Sequence, residues 1–274
     1  MFKALPLAVM VLSCQYLLFA QSTSTLMGAR AAGLGYSSSA LTDEWSIFNN
    51  VAGLAKVAVI TAAFTYDAQP SFKHFNKAAA TIVCPLKIGA AGLGVFRFGD
   101  DLYSEQILAA GYSSSFGLAS LGVKANLIQY NIKGFGSKFL VTASFGGIAK
   151  LTEHLFFGAH IVNINQPKIS SLDGERVPTI LIAGILTKVS DNVTVTMEIE
   201  KDLDYKPTIK AGAEYTILKK FFIRTGIRIQ PNAGFFGFGF RATRYTLDYA
   251  VQYSQGWGSR HQASVSYRLK TNKE

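Results

Sequence analysis

Apolar and polar residues alternate strictly along the second half of the chain. Between Asn192 and Glu200 the odd positions carry Val, Val, Met and Ile, and the even positions carry polar side chains. A period of two places successive side chains on opposite faces of a β-strand, and segments of about ten residues with this period are typical of membrane-spanning strands. Five more segments follow the same pattern: Thr208–Tyr215, Ile223–Ile229, Phe236–Arg241, Arg244–Tyr253 and Gln262–Leu269.

The first part of the chain predicts eight further strands bounded by turn residues: Ala58–Tyr66, Phe75–Cys84, Lys87–Phe98, Tyr103–Ser113, Phe116–Asn131, Lys138–Lys150, Leu155–Asn163 and Thr179–Lys188. We therefore predict an all-β fold, a transmembrane antiparallel β-barrel of about 14 strands in residues 58–274, because closed antiparallel barrels need an even strand number. The alternative is an exported β-sandwich or lipid-binding barrel, which would need far fewer strands. The longest polar connection, Asn165–Pro178, is expected to be an external loop.

Composition agrees with a membrane barrel. Charged residues make up 16% of the chain and hydrophobic residues 49%, whereas about 25% of residues are charged in soluble proteins. Met1–Ala20 has the pattern of a secretory signal peptide, with Lys3 before an apolar run; lipoprotein cleavage before Cys14 is the alternative. No other segment reaches the roughly 20 apolar residues that a membrane-spanning helix needs. We expect the protein in the cell outer membrane, in contact with its lipids, including lipopolysaccharide.

Residues 21–57 fit neither a strand nor a long helix. From Gly28 to Val57 the chain is rich in Gly, Ala and Ser and contains one of its two Trp residues. A barrel of about 14 strands encloses a lumen too wide for its own side chains to fill. We therefore predict that residues 21–57 form a plug inside the barrel.

Three motifs of this segment resemble the N-terminal signature of the PorV/PorQ family of outer-membrane barrels, which is related to the FadL transporters. They are Gly28-Ala29-Arg30-Ala31-Ala32-Gly33-Leu34-Gly35, Asp43-Glu44 and Asn50-Val51-Ala52-Gly53-Leu54. The family usually has Pro where Val51 stands, and since Pro would fix φ, we expect a looser turn here. The residues that carry the plug motif are Gly28, Arg30, Gly33, Asp43, Asn50 and Gly53.

The polar positions of the back-half strands should face the lumen, because a lipid-facing Arg or Lys near the membrane centre costs about 2–4 kcal/mol. They form either a selectivity surface or a structural network that binds the plug. Interleaved positive and negative charges favour the network, in which loss of Arg228, for example, would leave a carboxylate unpaired. The charged residues predicted in the lumen are Glu198, Glu200, Lys210, Glu214, Arg224, Arg228, Arg241, Arg244, Asp248 and Arg268.

No pattern of catalytic, cofactor-binding or metal-binding residues is present in the sequence. The four His residues are scattered, and His160 is expected to face the lumen. The Ser-rich stretches at 37–39 and 113–115 lack the Gly-x-Ser-x-Gly motif of a serine hydrolase. A net charge of +10 without a basic block does not indicate nucleic-acid binding. We expect a protein that is not an enzyme and needs no cofactor.

Two functions follow from the resemblance. The resemblance to PorV and PorQ implies an accessory of type IX secretion, with secretion-machinery proteins or exported cargo as partners. We expect these partners to bind through the loop residues Asp173, Glu175 and Arg176. FadL implies a channel for hydrophobic small molecules, with the plug as gate and a lateral opening towards the bilayer. Because the predicted loops are short and polar, the secretion accessory is the preferred hypothesis.

Overall fold

The computed structural model describes residues 24–169, 176–203 and 205–269, and it contains 14 strands within them. The predicted signal peptide and the loop residues Asp173 and Glu175 lie outside the described residues. Every predicted strand has a counterpart: β1 (Thr61–Ala68), β2 (Lys77–Pro85), β3 (Ala90–Gly99), β4 (Tyr103–Phe116), β5 (Ala119–Ile132), β6 (Gly136–Lys150), β7 (Leu155–Val162), β8 (Ile180–Lys188), β9 (Val193–Asp202), β10 (Thr208–Ile217), β11 (Phe221–Ile229), β12 (Ala233–Arg241), β13 (Tyr245–Ser254) and β14 (Gly258–Arg268).

The strands form one closed antiparallel barrel in which each strand pairs with its neighbours in sequence. Closure is made by β1 and β14, from the pair Thr61↔Arg268 to the pair Ala68↔His261. We call the end of the barrel where β1 begins and β14 finishes the terminal end, and the opposite end the loop end. The fold predicted from the alternating pattern is therefore confirmed.

Side chains alternate between the lumen and the outer surface as the sequence predicts. On β12, Phe236, Phe238 and Phe240 point outward and are 38–52% exposed, whereas Phe235 faces the lumen and is 5% exposed. Leaving these apolar side chains exposed suits a wall that contacts lipid rather than water. Among the described residues, no helix has the length and apolar character needed to cross a membrane.

The wall is least continuous between β6 and β7. β6 has 15 residues and β7 has 8, and only six residue pairs join them, from Phe145↔Ile161 to Lys150↔Phe156. Beyond Phe145, towards the loop end, the Asn165 side chain bonds to the backbone of β6 at a position where β7 no longer pairs with it. It accepts from the Ala143 N–H at 3.0 Å and donates to the Val141 carbonyl at 2.9 Å. A side chain therefore completes the hydrogen bonding that a longer β7 would provide.

The assignment of faces predicts a clear difference between two lysine substitutions. Met197 lies in the middle of β9 and points outward, 51% exposed. Met197→Lys keeps a long, unbranched side chain but places a charge in lipid, so it should lower the free energy of unfolding by about 2–4 kcal/mol.

The matched control is Leu218→Lys, in the turn between β10 and β11, where the side chain is 81% exposed. It should change stability little, because a turn residue can reach water. Unfolding midpoints in urea, measured in lipid vesicles, compare the two variants. Equal midpoints would mean that Met197 does not face lipid.

Candidate functional site

The lumen is occupied by residues 24–57, which cross it from one end to the other. At the loop end, Lys77 Nζ donates to the Ser24 carbonyl at 2.7 Å. At the terminal end, the segment leads into β1, which begins at Thr61 rather than at the predicted Ala58. Between these points lie one turn of helix, α1 (Ala29–Gly33), and two 3-10 helices, Glu44–Ile47 and Val51–Lys56. We call residues 24–57 the plug.

Glycines and capping side chains give the plug its compact path. Gly28 and Gly35 flank α1 with φ angles of 101° and 68°, which side chains other than glycine rarely adopt. Asp43 begins the first 3-10 helix and accepts from the Trp45 N–H at 3.1 Å. Asn50 begins the second and accepts from the Ala52 N–H at 3.1 Å. Both caps satisfy backbone donors that would otherwise be buried without a partner.

One side of the plug is apolar and packs against glycines of the wall. The plug residues Ile47, Phe48, Val51 and Leu54 are at most 3% exposed. A Cβ added to any of four wall glycines would come within 3.0 Å of plug atoms, so the strands bring their bare backbone against these side chains. These glycines are Gly92, Gly94, Gly111 and Gly122.

The other side of the plug is held by ion pairs. Arg30 donates to both carboxylate oxygens of Glu214, with Nε at 3.0 Å and Nη2 at 2.9 Å. Arg224 approaches the same carboxylate through Nε at 2.6 Å and reaches Asp248 through Nη1 at 2.6 Å. Arg30 also contacts Asp43 at 3.4 Å within the plug. Two arginines and three carboxylates thus form one network between plug and wall.

A second contact fixes the middle of the plug. The backbone N–H groups of Ser38 and Ser39 donate to Glu198 Oε2 at 2.8 and 2.7 Å. Lys210 donates to Glu198 at 2.9 Å and to Glu200 at 2.6 Å, so the buried carboxylate has a cation beside it. Removing one partner from such a buried set leaves an uncompensated charge, which strongly destabilises the arrangement.

The predicted lumen charges divide into two groups. Six of them face the lumen and belong to the two networks described above: Glu198, Glu200, Lys210, Glu214, Arg224 and Asp248.

The other four make no carboxylate ion pair within the described residues. Arg228 donates to the Pro231 carbonyl and lies over the Phe235 ring, so its loss would not leave a carboxylate unpaired as expected. Arg241 is exposed over Phe222, and Arg268 donates to carbonyls near the terminal end.

The prediction that Arg244 faces the lumen is wrong. It lies in the exposed turn between β12 and β13 and not in the lumen, because β13 begins only at Tyr245.

The plug-motif residues all lie inside the barrel. Gly33 packs against Arg224 and Gly237, and Gly53 against Ser46 and Leu41. Val51 is 2% exposed and is the first residue of the second 3-10 helix, a position that suits Pro but does not require it.

Of the predicted loop-binding residues, only Arg176 is described. It is exposed and donates to the Gln166 carbonyl at 3.1 Å, within the connection between β7 and β8.

A cavity of about 730 Å³ lies near the loop end, between the plug and the strands of the wall. One wall is largely apolar, formed by Phe98, Ile107, Ile128 and Tyr130 of β3 to β5, and Phe48 of the plug lies beside it. Charged side chains also line the cavity: Glu105 and Lys124 come from β4 and β5 themselves, and Lys77, Glu200, Lys210, Arg228 and Arg260 from other strands. The cavity suits a small molecule with a large apolar surface and a few polar atoms.

Sequence reasoning missed the apolar wall and Lys124. The signal was present, because Lys124 alternates with the outward Val123 and Ala125. His160 faces the lumen as predicted and is 5% exposed. In the described part of the chain, no group of three or more His, Cys, Asp or Glu side chains is arranged to hold a metal ion.

Comparison with known proteins gives structural relatives only. No protein-family model and no curated protein sequence matches the chain. The structure is similar to a solved structure described as the CymD monoaromatic hydrocarbon channel, with a TM-score of 0.71 and 12% identity, over 92% of this chain and 100% of that one. It is also similar to the Pseudomonas putida toluene transporter TodX, with a TM-score of 0.67 and 13% identity, over 89% of this chain and 99% of that one. At such identities the similarity shows a shared fold, and these relatives are not described as enzymes.

The ion-pair network predicts that the plug depends on Arg30. Arg30→Met removes the cation shared by Glu214 and Asp43 while keeping the length of the side chain. The plug should lose about 3–5 kcal/mol of stability against release, because Asp43, whose side chain is only 13% exposed, is left without its cation. Trp45, inside the plug, reports this release by fluorescence in urea, in a Trp257→Phe background.

Arg176→Met is the control, since Arg176 is exposed and contacts no carboxylate among the described residues. It should leave the Trp45 transition where it is in the unmodified protein. If Arg30→Met also leaves that transition in place, the ion pairs do not hold the plug.

Proposed function

We propose that this protein is an outer-membrane channel for hydrophobic small molecules, with the loop end facing the outside of the cell. The observation that carries the proposal is the cavity of about 730 Å³ at the loop end, which stops at a plug held by buried ion pairs. In this membrane, the outward apolar and aromatic side chains contact lipid, including lipopolysaccharide.

The mouth of the cavity supports an apolar ligand. Phe72 and Phe75 of the β1–β2 connection lie 5.7 and 6.1 Å from the Trp257 ring, and Phe75 lies 5.8 Å from Phe98. Phe72, Phe75 and Trp257 are 39–53% exposed, and Phe75 and Trp257 also line the cavity. A ligand arriving from outside would meet aromatic surface from the mouth down to the apolar wall.

The route out of the cavity is proposed to be lateral. A straight path through the barrel is filled by the plug, which is buried along most of its length. The cavity reaches Val162, Asn163 and Pro178, beside the place where Asn165 replaces a strand next to β6. Side-chain hydrogen bonds can be exchanged without breaking the strand ladder, so this part of the wall is the best candidate for an opening to the bilayer.

The structural relatives favour a channel over the secretion accessory expected from the sequence. CymD and TodX are described as a hydrocarbon channel and a toluene transporter, and the shared barrel is compatible with that class of function. Support for a secretion accessory comes only from the plug motifs and from the long connection between β7 and β8. That hypothesis remains a second candidate, which the experiment below separates from transport.

A matched pair of tryptophan substitutions tests the proposal. Ile128 faces the cavity and is 5% exposed, whereas its neighbour Leu127 points outward and is 42% exposed. Ile128→Trp should fill the cavity and lower uptake to the rate of cells without the barrel, and Leu127→Trp should leave uptake normal. Uptake is followed with an uncharged naphthalene-based dye that fluoresces when it partitions into the inner membrane.

Both variants must reach the outer membrane in equal amounts, which is checked by their mobility on gels before and after heating. If cells with and without the barrel take up the dye equally, the proposed transport function is wrong. Surface display of exported proteins, measured in a strain that lacks the barrel, then tests the secretion accessory: a loss of display supports it.

A further inference from the structure

Lys124 is a buried cation without a partner. It lies on the lumen face of β5, is 6% exposed, and lines the cavity. Within residues 24–169, 176–203 and 205–269, its ammonium group has no ion pair or hydrogen bond. Lys210 is buried to a similar degree but contacts two carboxylates. A buried charge is normally paired, so the isolation of Lys124 calls for a group that the protein itself does not supply.

A second unpartnered polar group lies two strands away, on β7. His160 is 5% exposed, and neither of its ring nitrogens has a hydrogen-bond partner among the described residues. Lys124 pairs in register with Ser144, and His160 pairs with Gly146, two residues further along the same strand. The two residues therefore lie on the lumen wall on either side of β6, and of the two it is Lys124 that lines the cavity.

Beyond Asn126, apolar and aromatic side chains of β5 continue towards the mouth of the cavity. The next lumen-facing residues on β5 are Asn126, Ile128 and Tyr130. At about 3.3 Å per residue, Tyr130 lies roughly 20 Å from Lys124 along the strand. Phe98 faces the cavity from the same side. The cavity thus has a cation at its inner end and ring surfaces above it.

From this arrangement we propose that the cavity binds a ring-bearing organic acid, with its carboxylate on Lys124 and its ring against Ile107, Ile128 and Phe48 of the plug. The assignment rests on the proposed transport function and narrows its substrate class. A carboxylate would accept a charge-assisted hydrogen bond from the Lys124 ammonium group. A planar ring packs on aromatic neighbours better than a flexible chain of the same size does.

Binding of three probes to the purified full-length barrel, measured by calorimetry in a non-ionic detergent, tests the assignment. Naphthoate carries both the ring and the acid, naphthalenemethanol keeps the ring without the charge, and decanoate keeps the acid without the ring. Naphthoate should bind more tightly than either of the others. Lys124→Met should weaken naphthoate binding by about tenfold or more and leave naphthalenemethanol unchanged.

Two variants complete the design. Lys124→Arg should retain most of the naphthoate affinity, because it restores the charge. Lys138→Met removes the same charge from an exposed position on the lumen side of β6 and should change nothing. If Lys124→Met binds naphthoate as the unmodified protein does, the cation has no part in recognition and the assignment is wrong.

Other outcomes also separate this assignment from the proposed function. If naphthalenemethanol binds as tightly as naphthoate, the cavity does not recognise the carboxylate, and the proposal of transport of hydrophobic molecules is unaffected. If decanoate binds as tightly as naphthoate, the cavity has no preference for a ring, and that part of the assignment is wrong. If none of the three probes binds, the assignment fails, while the dye-uptake comparison of Ile128→Trp with Leu127→Trp still decides whether the barrel transports.

Discussion

The structure depends on filling a lumen that its own strands leave open. A closed barrel of 14 strands is wider than its inward side chains can occupy. The plug solves this with two different surfaces. Its apolar side packs against bare glycine backbone of β3 to β5, and its polar side is held by Glu198, Glu214 and Arg224 of β9 to β11. The position of the plug then decides where a cavity can exist.

The charges of the lumen follow from the same constraint. Arg224 is about 1% exposed and is tolerated because it lies between Glu214 and Asp248. Each buried carboxylate in these networks has a cation or backbone N–H beside it, as a low-dielectric interior requires. Lys124, a buried cation with no ion pair among the described residues, departs from this pairing at the inner end of the cavity. A departure from local pairing at a cavity is what a binding site would produce.

The number of strands could be predicted from the sequence because turn residues separate the alternating segments. The direction of the side chains could be predicted because a period of two fixes the face on which each one lies. Met197, Phe238 and Arg224 all lie on the predicted face. The depth of a side chain could not be predicted from periodicity. Arg224 and Arg228 share one face of β11, but only Arg224 meets carboxylates, since Arg228 lies near the loop end, where its neighbours are Pro231 and Phe235.

Two further features needed the structure. On β5 the lumen-facing Ile128 and Tyr130 are apolar, so the pattern weakens where the cavity wall is formed. The incomplete pairing of β6 and β7 depends on strand lengths and register, which turn residues do not define to within a residue. Both features shape the cavity. The sequence therefore predicted the barrel and the plug, but it did not predict the cavity between the plug and the wall.

The most direct test of this account is the ionic conductance of the barrel in a planar bilayer, with and without residues Gly28–Ala55. The intact protein should conduct almost no current, because the plug closes the lumen. The deleted form should insert as a barrel and open a steady, water-filled pore. If the deleted form inserts and conducts no more than the intact protein, the lumen is closed by something other than the plug, and the central claim is contradicted.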